Sequence, residues 1–339
     1  MTTTTAPDAL VLMSREAFDA QFDAPRLARL NSLARLADPV WVDNLEDPAL
    51  APRLAGVEAL ITGWGAPLLD EARLDRMPRL KVMIHGAGTI RAMVSDAFWQ
   101  RGITATNVAE ANAVPVAEFT LAAVIMAGKR APFLAADPLT RTDWGRLDRF
   151  GALGNVGRTV GVVGFSKVGR RVVAALQQLE QLECLVFDPY ADPLEVAQAG
   201  GRLIGSLDEL LPRLDVLSLH VPALPETRNM IGAAQLAALP DHATVINTAR
   251  GSVVDTAALE AECASGRLNA IIDVSEPEPL PAASVLYSLP NVMVTPHIAG
   301  SLGNELYRMT DAALDELERY VHGLPLNSVV NSDDLRLSA

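Results

Sequence analysis

The stretch Thr159–Asp188, TVGVVGFSKVGRRVVAALQQLEQLECLVFD, constrains this chain more than any other. A β-branched run, Thr159 to Val163, feeds the small-residue turn Gly164-Phe165-Ser166-Lys167-Val168-Gly169. Val168, Val172, Leu176 and Leu179 then recur at helical spacing as one apolar stripe. A second apolar run, Cys184 to Phe187, ends on Asp188. Strand, tight turn, helix, strand and acidic residue is the order of a dinucleotide-binding unit. Backbone N–H groups of the turn and the helix N-terminus would meet a pyrophosphate, through Gly164, Ser166, Lys167, Val168 and Gly169. Asp188 is placed to accept hydrogen bonds from an adenosine ribose. One letter departs from the fingerprint: the middle glycine is Ser166.

Bulk properties bound what surrounds this unit. The 339 residues fit one large domain or two ordinary ones, and an apolar share of 50% allows a sizeable core. A formal charge of −13 argues against nucleic acid and anionic membrane as partners. Cys184 and Cys263 make no disulfide framework and have no metal-ligand neighbours, which fits a reducing cytoplasm and no metal. The start MTTTTAPDALVLM lacks the basic and apolar regions of a signal peptide, and Phe119–Ala127 is too short an apolar stretch to span a bilayer.

Before the central stretch, strands are expected at 8–13, 40–42, 57–62, 80–84 and 103–107, with helices at 24–36, 48–55 and 70–77. Alternation of this kind means a parallel α/β sheet. Pro115 is expected to open an apolar helix to Met126, and the Pro-, Gly- and Arg-rich segment 129–158 to be an irregular long arm or partner-contacting loop. After Thr159–Val163, strands are expected at 184–187, 215–219, 243–247, 270–274 and 292–295, and a last helix at 304–321.

Polar residues collect where these later strands end. Gly164 follows the first, Asp188 the second and His220-Val221-Pro222 the third; Thr248-Ala249-Arg250-Gly251, Asp273 with Glu276 to Pro279, and Pro296-His297 follow the rest. Ligands of an open parallel sheet bind beyond the carboxyl ends of its strands. An arginine can hold a carboxylate through two parallel hydrogen bonds, and Arg250 is the candidate. An imidazole can give or take a proton as a hydride moves, which suits His297, and a carboxylate such as Glu278 beside it favours the imidazolium. The set suggests reduction of a carbonyl flanked by a carboxylate.

From about Leu80 to Ser301 the chain resembles the NAD-dependent D-2-hydroxyacid dehydrogenases. The matching stretches are His85-Gly86-Ala87-Gly88, Val116-Ala117-Glu118, Gly161–Gly169, SLHVP at 218–222 and PETRNMI at 225–231, then INTARGSVVD at 246–255, DVSEPEPL at 273–280 and TPHIAGS at 295–301. The resemblance implies an α/β protein of two Rossmann-like parallel-sheet domains. A discontinuous, flavodoxin-like substrate domain would comprise residues 1–112 and 301–339, and an NAD-binding Rossmann domain residues 113–300. It further implies Arg250 as the substrate-binding arginine, His297 as general acid/base and Glu278 as its carboxylate partner. Val221, Pro222, Thr227, Thr248, Ala249, Asp273 and Gly300 are similar to positions lining the cofactor, and Ala87-Gly88 to a loop whose N–H groups hold the substrate carboxylate. A small 2-hydroxy or 2-oxo acid substrate and a homodimer through the cofactor domain are also implied.

Two residues depart from that pattern: Ser166, and Ser275 where an aromatic is common. A serine in the turn would either be tolerated or bond a phosphate itself. No Lys or Arg occurs in 189–201 to pair a 2′-phosphate, which favours NAD over NADP. His85 would line a pocket or cap a strand, His220 would be structural or flank the cofactor, Trp64 would pack in the core or shape the pocket, and His242 and His322 lie in loops or on the surface. An NAD(H)-sensing corepressor of the same fold is the alternative reading; Glu278 speaks against formate or phosphite oxidation, since formate enzymes of this kind carry glutamine there.

Overall fold

The structure, a computed structural model, describes residues 6–332 and Leu335; the threonine leader Thr2–Thr5 lies outside the described residues. The chain divides into two compact units, Met1–Asn112 with Ser301–Ala339 and Ala113–Gly300. Among the described residues the strands are β1 (Ala9–Leu12), β2 (Trp41–Val42), β3 (Ala59–Thr62), β4 (Val82–His85), β5 (Thr104–Asn107), β6 (Thr159–Val163), β7 (Glu183–Phe187), β8 (Arg202–Leu203), β9 (Val216–Leu219), β10 (Thr244–Asn247), β11 (Asn269–Ile272), β12 (Val292–Val294) and β13 (Val329–Val330).

The first unit's sheet runs β13-β5-β4-β3-β1-β2, with only β13 antiparallel. Its parallel part has the flavodoxin-like order. Successive residues of β1 face opposite sides. Val11 packs with Leu30, Met309 and Leu317, while Leu10 and Leu12 pack with Leu54, Leu74 and Phe98. Both faces are covered, which is why these strands read as continuous apolar runs and not as alternating ones.

The second unit's sheet runs β12-β11-β10-β9-β6-β7-β8 and is wholly parallel. Strand order reverses between β6 and β9, so the ends of those two strands border the crevice where such sheets take ligands. Val160 and Val162 bury against Val172, Val173 and Leu176 of the helix Lys167–Leu176, and Leu217 and Val245 against Leu236 and Leu259 on the other face. Each fully buried side chain of this kind contributes about 1.5–3 kcal/mol.

Three expectations need correction. Pro115 does not open its helix: the helix is Ala109–Gly128, and Pro115 lies inside it. The helix starts six residues earlier, where Asn107 Oδ1 accepts the Ala109 N–H at 3.2 Å and satisfies a first-turn amide. At 20 residues the helix is long and apolar enough to cross a membrane, and half of its most apolar window is buried inside the protein. The segment 129–158 is not irregular throughout. It holds a helix, Ala131–Ala136, and two 3₁₀ turns, Pro138–Arg141 and Trp144–Arg146, anchored where the rings of Phe133 and Phe150 meet edge to face at 6.2 Å. Finally, Trp64 is not core: it is 43% exposed, while its carbonyl accepts the Ser14 N–H.

Candidate active site

The turn after β6 is built on close backbone approach. Gly164 has φ of +96°, and a Cβ there would lie 2.8 Å from the carbonyl of His220 at the end of β9. A Cβ on Gly169 would lie 1.9 Å from the Gly164 oxygen. Both glycines are therefore needed for helix and strand ends to meet. Ser166 is the N-cap of the helix Lys167–Leu176: its Oγ accepts the Gly169 N–H at 3.3 Å and donates to the His220 carbonyl at 2.9 Å. A cap of this type is worth ~1 kcal/mol. Among the described residues, the backbone N–H groups of Ser166, Lys167 and Val168 have no acceptor within the chain.

Asp188 closes the turn from the other side. Its Oδ2 accepts the Phe165 N–H at 2.7 Å and its Oδ1 the Tyr190 N–H at 2.8 Å. Each oxygen keeps one acceptor position for a ribose hydroxyl. Three aligned amides, two obligatory glycines and this carboxylate suit a dinucleotide. His220 contributes its backbone; its ring is buried, hydrogen-bonded to Ser218 Oγ at 2.8 Å, and burial pushes its pKa down to about 3, so it stays neutral. Thr227 Oγ1 ties the loop after Val221, donating to the Pro222 carbonyl at 2.5 Å and accepting from the Leu224 N–H at 2.9 Å. Thr248 Oγ1 is buried 3.1 Å from Thr120 Oγ1, whose proton goes to the Val116 carbonyl.

Arg250 is held by a residue the sequence reading passed over. Asn247, at the end of β10, accepts the Ala249 N–H at 3.0 Å and donates to the Arg250 carbonyl at 2.9 Å, closing a tight turn. Arg250 Nη1 donates to the Ala249 carbonyl at 2.6 Å. Burial lowers the guanidinium's pKa from its ordinary value, and the charge of Glu278 opposes that shift. Gly251 packs directly on the next loop: a Cβ there would lie 2.0 Å from the Ser275 carbonyl carbon. For Asn247, an Asn ending an apolar strand was the available signal.

The loop carrying His297 is hung on Asp273. Asp273 is 2% exposed; its Oδ1 accepts from Thr295 Oγ1 at 2.6 Å and the Ile298 N–H at 2.8 Å, and its Oδ2 accepts the Ala299 N–H at 2.9 Å. Its carbonyl accepts the His297 N–H at 3.0 Å. His297 itself has φ of +55°, a left-handed conformation that costs a non-glycine residue about 1–3 kcal/mol and that these bonds hold in place. Gly300 closes this loop at the end of the unit. His297 Nδ1 lies 2.8 Å from Glu278 Oε1, with both side chains about half exposed. A carboxylate only accepts, so Nδ1 carries the proton of that bond and Nε2 is left for chemistry. Ser275 lines a cleft of about 330 Å³ beside Glu278, in the place where an aromatic is common.

Ala87 and Gly88 belong to the first unit, just past β4. Among the described residues their N–H groups have no acceptor within the chain, which fits the donor role expected of them. His85 is buried against Thr62 Oγ1 at 3.0 Å, and burial pushes its pKa down to about 4. It is a strand-end structural histidine. No group of three or more His, Cys, Asp or Glu side chains among the described residues could hold a metal ion.

Comparison with known proteins follows the same lines. The family model described as D-isomer specific 2-hydroxyacid dehydrogenase, NAD binding domain, matches residues 122–299. The chain is 33% identical over 275 residues to D-3-phosphoglycerate dehydrogenase of Mycobacterium tuberculosis (strain ATCC 25618 / H37Rv), covering 80% of this chain and 51% of that protein. It is 31% identical over 264 residues to glycerate dehydrogenase of Methylorubrum extorquens, covering 76% of this chain and 81% of that protein. The chain spans about half the length of the curated phosphoglycerate dehydrogenases it matches. Its fold is similar to a solved phosphoglycerate oxidoreductase from Rhizobium etli, with a TM-score of 0.80 at 24% identity over 96% of this chain and 99% of that one.

Proposed function

Because the chain belongs to the D-isomer specific 2-hydroxyacid dehydrogenase family through its NAD-binding domain, we propose that it interconverts a small D-2-hydroxy acid and the matching 2-oxo acid. Bound NAD would supply the ring that exchanges a hydride with C2 of the substrate. In the oxidation direction His297 Nε2 takes the hydroxyl proton as the C2 hydride leaves; in reduction the imidazolium returns that proton to the carbonyl oxygen. Glu278 holds the ring by Nδ1 and stabilises the imidazolium that forms. Arg250, held by Asn247 and half-buried, receives the substrate carboxylate and polarises the neighbouring carbonyl. The observation that carries this reading is the 2.8 Å His297–Glu278 bond on a loop anchored by Asp273 at the end of β11.

Asp188 accepting from the Phe165 and Tyr190 amides supports a carboxylate fixed to read a ribose diol, hence NAD over NADP. The exposed Trp144, at 80%, and Leu139 support a homodimer, and two free cysteines without a disulfide fit a reducing cytoplasm. The −13 charge supports a small-molecule partner over nucleic acid or an anionic membrane. The test is NADH oxidation against a panel of small 2-oxo acids. Tight NADH binding without turnover across the panel would favour the corepressor-like alternative.

A further inference from the structure

Ser166 stands at the middle position of the Gly-x-Gly-x-x-Gly pattern, where a side chain would be expected to hinder the turn. The structure shows that its hydroxyl has no free proton to offer a phosphate, because that proton goes to the His220 carbonyl at 2.9 Å while the oxygen takes the Gly169 N–H at 3.3 Å. The two bonds run to the two bodies that the turn must hold together. His220 ends β9, on the far side of the strand-order reversal, and is the residue whose carbonyl limits Gly164. Gly169 lies in the first turn of the helix, against the Gly164 oxygen.

We propose that Ser166 is a positioning residue for the cofactor: its hydroxyl pins the nucleotide turn to the end of β9 and, by consuming the Gly169 N–H, leaves the Ser166, Lys167 and Val168 amides aligned as the pyrophosphate donors. This rests on the reading that a dinucleotide occupies the turn. The hydroxyl thus does by hydrogen bonding what a bare glycine does by close approach, and it fixes the turn before the ligand arrives. Preorganisation of this kind appears as affinity, because the cost of ordering the turn is not charged to binding.

The test compares Ser166→Ala, Ser166→Gly and Ser166→Thr with the parent protein by direct NADH titration, following nucleotide fluorescence, with kcat read at saturating NADH. Threonine keeps both hydrogen bonds and is accepted at N-caps. The proposal expects a parent-like Kd in Ser166→Thr and a Kd raised roughly three- to tenfold in Ser166→Ala, the loss of one or two modest hydrogen bonds. An unchanged Kd in Ser166→Ala, even with a lowered melting temperature, would overturn it, since the hydroxyl would then serve stability alone. Equal losses in Ala and Thr would also overturn it, as shape would then matter and not the bonds. Should Ser166→Ala fail to fold, the comparison of Gly with Thr decides: tighter binding by Ser166→Gly contradicts the proposal. A parent protein that does not bind NADH would instead sink the dinucleotide reading itself.

Discussion

At the scale of single residues, the proposed chemistry divides among His297, Glu278 and Arg250. His297→Ala is expected to lose about 10²–10⁴-fold in kcat with an unchanged NADH Kd, measured by steady-state rates beside nucleotide titration. Arg250→Lys keeps the charge but not the planar fork, so KM for the 2-oxo acid should rise more than tenfold, about the worth of one charge-assisted bond. Asp273 acts one step removed. Asp273→Asn replaces an acceptor oxygen with a donor facing either the Ala299 amide or the Ile298 amide and Thr295 hydroxyl. It should lower kcat by loosening the His297 loop and destabilise the protein by about 1–3 kcal/mol; wild-type kcat and melting temperature together would contradict that placement. The candidate side chains could be picked out because each follows a strand end in a long motif. Asp273's service to the His297 loop was not legible, since its partners lie 22 to 26 residues further on and only folding brings them together.

At the scale of elements, the strands of both sheets could be read within a residue or two, because their runs of branched apolar residues are covered on both faces. The short strands β8 and β13 escaped, whereas β2, equally short, was read from Val40-Trp41-Val42. The helices Arg15–Gln21 and Asp96–Gln100 escaped too, being short and announced chiefly by the caps Ser14 and Ser95. Pro115 misled because a proline is a start signal only when no earlier start precedes it, and Asn107 already satisfies a first-turn amide at Ala109. Loop-to-loop packing was equally hidden. Gly251 seats the Arg250 turn on the Ser275–Glu276 peptide, and no local pattern says so. Gly251→Ala must push these loops apart, so it should raise substrate KM and lower the melting temperature while leaving NADH affinity near that of the parent. A variant with parent-like KM would show that Arg250 does not depend on this contact.

At the scale of the whole molecule, acid should unfold the protein partly through its buried histidines. His85 and His220 titrate near 6.5 when unfolded, while burial lowers their folded pKa values to about 4 and about 3. Between those limits the unfolded chain binds protons that the folded chain refuses, so stability falls as pH drops from about 6.5 toward 4. His85→Asn should show a shallower loss over that window in denaturant titrations at stepped pH; a slope equal to the parent's would contradict a neutral buried His85. The family, the two parallel sheets and the dinucleotide turn support the activity proposed above. The most direct measurement is the fall in NADH absorbance when the protein meets a panel of small 2-oxo acids, with the product resolved by chiral chromatography. The account predicts stoichiometric NADH oxidation with at least one acid, a D-2-hydroxy product, and loss of the reaction in His297→Ala. An L product, or undiminished turnover without His297, would contradict it.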